Sequence, residues 1–156
     1  MNKILIIEDE KMTAEAVKEA LELNGMSAEI AEDGIRGIEM VKETEYDLIL
    51  LDLKMPKLSG EDVLKEVRKI RPYVLVIIYT NFSEFADIKA LANIGIDGYV
   101  NKGPDADLEE LVEMIKAKLE PFSEEDMDAI LAEAKLGKGK LISLERTTNG
   151  TFPKEK

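Results

Sequence analysis

The 156-residue chain contains no cysteine, no histidine and no tryptophan. Without histidine or cysteine it cannot assemble a Ser-His-Asp or Cys-His nucleophile system. Zinc sites of the usual ligand types, haem held by histidine and thiolate-bound iron–sulfur clusters are excluded as well. Disulfides are impossible, which fits a reducing compartment. Any metal must be a hard cation bound through oxygen, such as Mg²⁺ or Ca²⁺.

Positive charge is also in short supply. Lys and Arg total 21 against 33 Asp and Glu, a net charge of −12. That balance disfavours direct nucleic-acid binding and anionic membrane surfaces, both of which need surplus cations. Long apolar runs are missing too. Those at residues 48–51 and 74–79 fall far short of the roughly 20 residues that span a bilayer. The apolar residues 4–7 meet Glu8, Asp9 and Glu10 at once, unlike a signal peptide. A soluble, cytoplasmic protein is the expectation.

What is present is a 45 % hydrophobic composition, enough for a real core, arranged as short apolar runs alternating with helix-period segments. Residues 4–7 read as a first strand. Residues 11–24 read as a helix with Ala16, Val17, Ala20 and Leu21 on one face, stopped at Gly25. Ser27–Ala31 alternates as an edge strand does. Ile35, Ile38 and Val41 mark a second helix, and Leu48–Leu51 a buried strand. After the turn-rich residues 55–60, Val63, Leu64, Val67 and Ile70 mark a third helix ended by Pro72. Residues 74–79 give the fourth strand. Phe85, Ile88, Leu91 and Ala92 give a helix stopped at Gly95. Tyr99 and Val100 form a short fifth strand, and Leu108, Leu111, Val112, Ile115 and Leu119 mark a fifth helix. Five βα units within residues 1–120 imply an α/β fold, a doubly wound parallel sheet with helices on both faces.

In such a sheet ligands bind beyond the carboxyl ends of the strands. Strand one ends in Glu8 and Asp9, strand three in Asp52, strand four in Thr80, strand five in Asn101 and Lys102. Three carboxylates gathered there repel one another, and an oxygen-liganded divalent cation relieves that repulsion. A cation, a lysine and a hydroxyl around one carboxylate suit phosphoryl transfer, with Asp52 as nucleophile. Taken singly, the same residues have plainer explanations. Acids at 8–10 favour a helix start, and Asp52 suits a turn.

Taken together they carry a resemblance. The runs Ile-Ile-Glu-Asp-Glu at 6–10, Leu-Leu-Asp-Leu-Lys-Met-Pro-Lys-Leu-Ser-Gly at 50–60, Tyr-Thr at 79–80 and Gly-Tyr-Val-Asn-Lys at 98–102 occur in the order found in response-regulator receiver domains. Roughly residues 2–120 resemble that CheY-like family of two-component signalling, which implies a receiver domain over residues 1–120. The resemblance implies the flavodoxin-like strand order 2-1-3-4-5. It implies Asp52 as phosphoacceptor, and Mg²⁺ held by Glu8, Asp9, Asp52 and the backbone carbonyl of Lys54. Lys102 and Thr80 would contact the phosphoryl group, with Thr80 and Tyr99 as the switch pair. A histidine kinase or histidine phosphotransfer protein would be the donor and a downstream protein the target. A homodimer through the α4–β5–α5 face, using Lys89 and Asp97, is a further expectation. Such a chain catalyses only its own phosphorylation from a donor and its own dephosphorylation. One departure stands out: Gly103 separates Lys102 from Pro104, where the family has proline directly after the lysine. In the family the positions held here by Phe82 and Lys54 flank the phosphate path and tune autodephosphorylation.

Competing readings remain. A pseudo-receiver would bind partners without phosphate chemistry. A haloacid-dehalogenase-like phosphatase needs Asp-x-Asp after strand one, a flavodoxin a hydroxyl- and glycine-rich loop there, and neither occurs. Residues 121–156 form an extension with a helix expected at about 123–136 and a flexible tail. Its Met127, Ile130, Leu131 and Ala134 stripe suits docking or a partner. Thirty-six residues are short for a DNA-binding output domain, which favours a stand-alone receiver over a fragment of a longer regulator.

Overall fold

The computed structural model describes residues 1–81, 85–102, 107–120 and 124–135, and the side chains of all of these except 85, 86, 124 and 135. The chain runs β1 (Lys3–Ile7), α1 (Lys11–Leu23), β2 (Ser27–Ala31), α2 (Gly34–Glu43), β3 (Leu48–Leu51), α3 (Gly60–Ile70), β4 (Leu75–Thr80), α4 (Phe85–Ile94), β5 (Gly98–Asn101), α5 (Leu108–Leu119) and α6 (Glu124–Lys135). The five strands form one parallel sheet, as the apolar runs implied, in the order β2-β1-β3-β4-β5 that the resemblance implied. Among the described residues no helix is long and apolar enough to cross a membrane.

The continuous apolar strands are buried on both faces, and the pleat sorts their side chains between two clusters. Ile4, Ile6, Leu48, Leu50, Ile77 and Tyr79 join Val17 and Leu21 of α1 and Leu111 and Ile115 of α5. Leu5, Ile7, Ile49, Leu51, Val76 and Ile78 join Val41 of α2, Val63, Leu64 and Val67 of α3, and Leu91 of α4. Each strand is thus clamped from both sides. At about 1.5–3 kcal/mol per fully buried Leu or Ile, the central strands carry a large part of the hydrophobic stabilisation.

Several apolar positions differ from the periodicity reading. In α1 the buried side is Ala14, Val17 and Leu21, and Ala16 is exposed. In α2 it is Gly34, Gly37 and Val41, with Ile35 half in solvent. The glycines bring that helix so close to α3 and β1 that its interface rotates away from Ile35. Ala92 of α4 is exposed. Gly25, at φ +81°, closes α1 in the left-handed region.

The loop after β3 is held by several local devices. Ser59 caps α3, its Oγ accepting from the Asp62 N–H at 3.2 Å. Lys57 takes φ +71°. The Gly60 N–H donates to the Leu53 carbonyl at 3.0 Å. A Cβ on Gly60 would sit 2.6 Å from the Asp52 carbonyl oxygen, so only glycine allows α3 to start this close to β3.

Opposite the carboxyl ends of the strands, Arg68 ties three segments together. Its Nε donates to the Gly95 carbonyl at 3.0 Å, and Nη1 donates to the carbonyls of Pro72 (3.2 Å) and Val74 (2.5 Å). Nη2 meets Asp97 Oδ2 at 3.4 Å, and that oxygen also accepts from the Val76 N–H at 2.9 Å. Asp97, expected on a dimer face, therefore already has this oxygen engaged within the chain; Lys89 is exposed. On α6, Met127 and Leu131 are 43 % and 54 % exposed. Phe82, the Gly103–Pro104 step and residues 136–156 lie outside the described residues.

Candidate functional site

The last strand residues hand over to polar ones without leaving the ladder. The N–H of Glu8 donates to the Ala31 carbonyl (3.0 Å), that of Asp52 to Ile7 (3.1 Å) and that of Lys102 to Thr80 (2.8 Å). Backbone pairing thus fixes where Glu8, Asp52 and Lys102 stand, before any side-chain interaction is counted.

Carboxylate oxygens of Glu8, Asp9 and Asp52 all lie within 4.8 Å of one another. Glu8 and Asp52 are buried, at 4 % and 5 % exposure, while Asp9 is open to solvent. Lys102 reaches in from the end of β5. Its Nζ contacts Glu8 Oε1 and stands 3.4 Å from Asp52 Oδ2. Burial pushes the Glu8 carboxyl up to about 7, the Lys102 hydrogen bond working against that and Asp52 adding to it. Lys102 is itself shifted upward: burial lowers it, and hydrogen bonds and charges from Glu8 and Asp52 more than reverse this. The Lys54 N–H donates to Asp52 Oδ1 at 3.3 Å, and the Lys54 side chain is exposed.

Thr80 is fully buried at the end of β4. Alternation places it on the same face as Ile78. Tyr99, opposite Ile78 in the β4–β5 register, packs half-buried against the cluster of that face. Five of the expected residues therefore gather at one point: Glu8, Asp9, Asp52, Lys54 and Lys102. Thr80 ends the neighbouring strand, and Tyr99 stands apart from the carboxylates on the face packed by α2, α3 and α4.

Sequence reasoning assigned no role to Tyr79. Its signal was register: Ile7 pairs with Leu51 and Leu51 with Ile78, so Glu8, Asp52 and Tyr79 follow as a row across β1, β3 and β4. The Tyr79 ring centroid lies 5.5 Å from Lys102 Nζ.

Residues 4–116 match the response regulator receiver domain family. The chain belongs to that family. Over 67 % of its length it is 39 % identical to the transcriptional regulatory protein DltR of Streptococcus agalactiae, and that stretch covers 47 % of DltR. Over 93 % of its length it is 31 % identical to the response regulator MprA of Mycobacterium leprae, 68 % of which is covered. The chain thus spans about half of the first relative and about two thirds of the second. Among solved structures it is similar to a CheY-like response regulator receiver domain protein from Methanospirillum hungatei, with a TM-score of 0.74, 28 % identity, and 78 % and 95 % of the two chains covered. This receiver domain of two-component signalling therefore carries its acidic cluster where the strand ends converge.

Proposed function

We propose that this receiver is a phosphorylatable switch, accepting a phosphoryl group on Asp52 from a histidine kinase or histidine phosphotransfer protein. The observation that carries the reading is the cluster of Glu8, Asp9 and Asp52 with Lys102 Nζ beside both buried carboxylates. One lysine against three carboxylates leaves a local charge deficit, and every other donor is an oxygen. The residues thus fit a hard divalent cation, Mg²⁺, held by Glu8, Asp9, Asp52 and the Lys54 backbone carbonyl. When bound, the cation supplies positive charge against the phosphoryl oxygens.

The chain's own groups do the rest. An Asp52 oxygen attacks phosphorus, an O–P bond forms, and the donor's bond to phosphorus breaks with its electrons going to the leaving group. Lys102 turns its ammonium from Asp52 to the incoming phosphoryl oxygens, and Thr80 donates a hydrogen bond to one of them. The phosphoryl group adds charge at the end of β4, where Thr80 and Tyr99 occupy the other face of the sheet. Their inward movement would shift the α4–β5–α5 surface between two arrangements and so change its contacts with a downstream protein or a second copy.

Incubation with acetyl phosphate and Mg²⁺, read by intact mass, tests the reading. A phosphate increment that disappears in Asp52→Asn is expected. No increment, or one that survives the substitution, overturns it.

A further inference from the structure

Tyr79 is 5 % exposed, sits in the row with Glu8 and Asp52, and presents its ring to Lys102 Nζ at 5.5 Å. Its phenol donates no hydrogen bond to any described residue, although a buried tyrosine usually finds a partner. The hydroxyl therefore does not explain the residue. Its neighbour on the same face, Ile77, shows that an aliphatic side chain can fill such a core position. What distinguishes position 79 is an aromatic face beside an ammonium that is itself largely withdrawn from water, where the attraction between cation and ring is strongest.

Lys102 also borders a cleft of about 250 Å³ between α1 and the start of α5, lined by Glu10, Thr13, Tyr79 and Asn81. The cleft offers the lysine head an alternative direction, towards the exposed Glu10. Tyr79 also lines, with Thr13, Ala14 and Val17 of α1, the small gap next to Glu8 and Asp52. The ring thus borders both the acidic cluster and the cleft, with the Lys102 ammonium beside it.

We propose that Tyr79 is a positioning residue, its ring holding the Lys102 ammonium on the Asp52 side of the site and out of the α1–α5 cleft. The inference rests on Asp52 being the phosphoacceptor. It needs the aromatic ring and not the phenol hydroxyl. It acts on Lys102 and not on the carboxylates that would hold the cation, so phosphorylation rate and Mg²⁺ affinity separate.

The test compares wild type, Tyr79→Met and Tyr79→Phe, each first shown to be folded by thermal unfolding, with Tyr79→Leu replacing the methionine variant if that one does not fold. Phosphorylation by acetyl phosphate is followed by intact mass across a Mg²⁺ series, and the Mg²⁺ dissociation constant is measured by calorimetry. At saturating Mg²⁺, Tyr79→Met is expected to phosphorylate about thirtyfold more slowly, the scale of one desolvated cation–ring contact. Its Mg²⁺ dissociation constant should stay within about twofold of wild type, and Tyr79→Phe should recover the rate. A wild-type rate in Tyr79→Met overturns the proposal. So does a Tyr79→Phe variant as slow as Tyr79→Met, or a loss of Mg²⁺ affinity in proportion to rate, which would mark a merely structural role. A wild-type chain that takes up no phosphate overturns the Asp52 reading itself, an outcome distinct from unaffected variants of a phosphorylated protein.

Discussion

Replacing Gly60 by alanine probes how firmly the loop that carries Asp52, the proposed phosphoacceptor, is held. The new Cβ would lie 2.6 Å from the Asp52 carbonyl oxygen and 2.6 Å from Leu53 Cα, both backbone atoms that cannot turn aside. Reaching an ordinary contact requires the start of α3 to retreat by roughly 0.8 Å. That retreat strains the hydrogen bond from the Gly60 N–H to the Leu53 carbonyl, now 3.0 Å. Overpacking costs about 1–3 kcal/mol and a weakened hydrogen bond about 1 kcal/mol, against a helix-propensity gain of at most about 1 kcal/mol. The net loss is about 2 kcal/mol. With a urea slope of about 2 kcal/mol per molar, the unfolding midpoint falls by about 1 M. Because α3 is packed on its other side, the Asp52–Leu53 backbone shares that adjustment, and a shift of about half an ångström at Asp52 is expected to slow phosphorylation about tenfold, on the scale of about 10²-fold per ångström. Gly25→Ala is the control, since it has φ +81° but nothing within 4 Å of the added Cβ. It loses about 1 kcal/mol to backbone strain and leaves phosphorylation unchanged. A Gly60→Ala protein with wild-type midpoint and wild-type phosphorylation would refute the close-contact argument.

Two further outcomes follow from charge. Glu8 has its carboxyl raised from 4.5 to about 7, so the folded chain holds a proton there that the unfolded chain has released. Its contribution to stability is full below about pH 4.5 and is lost as pH rises through about 7. A divalent cation competes with that proton, so Mg²⁺ should raise the urea midpoint more at about pH 8 than at about pH 5.5, and Glu8→Gln should flatten the difference. Equal Mg²⁺ shifts at both pH values would count against it. Arg68→Ala removes donors from the carbonyls of Pro72, Val74 and Gly95 and a partner from Asp97. A loss of about 2–3 kcal/mol in denaturant unfolding is expected, with Asp97→Asn costing less because Val76 keeps an acceptor. An Arg68→Ala protein of wild-type stability would show these bonds to be solvent-compensated.

The sheet was legible because its strands are buried on both faces and so read as unbroken apolar runs, and each run ends in a polar residue that marks the site edge. Glu8, Asp52, Thr80 and Lys102 could all be found this way. Helix faces were less legible. Periodicity counts apolar side chains, so it chose Ile35 in α2, whereas the close approach of Gly34 and Gly37 to Val63 and Ile7 decides which face is buried. Glycine carries no hydrophobic signal, and its meaning appears only with the neighbouring helix in place. The intrachain bonds of Asp97 were hidden for a related reason. As a charged residue before β5 it reads as surface, yet the Val76 N–H and Arg68, 21 and 29 residues away, converge on one of its oxygens.

Register explains why Tyr79 and Thr80, adjacent in sequence, differ in what they touch. The pleat sends neighbours to opposite faces. Tyr79 lies in the α1 and α5 cluster and meets Lys102, while Thr80 follows Ile78 towards the face where Tyr99 packs. One strand end therefore borders the acidic cluster on one side and the α4–β5 surface on the other. A phosphoryl group on Asp52 would reach both sides through a single peptide unit, with no relay of intervening side chains. Charge rearrangement at Lys102 and movement of Thr80 would then be two consequences of one event at Asp52. On the proposed function, a substitution at 79 is expected to change the rate of phosphorylation, and one at 80 how the phosphorylated state is read out. The fold separates the two by one residue because a parallel strand, buried on both faces, has no neutral side.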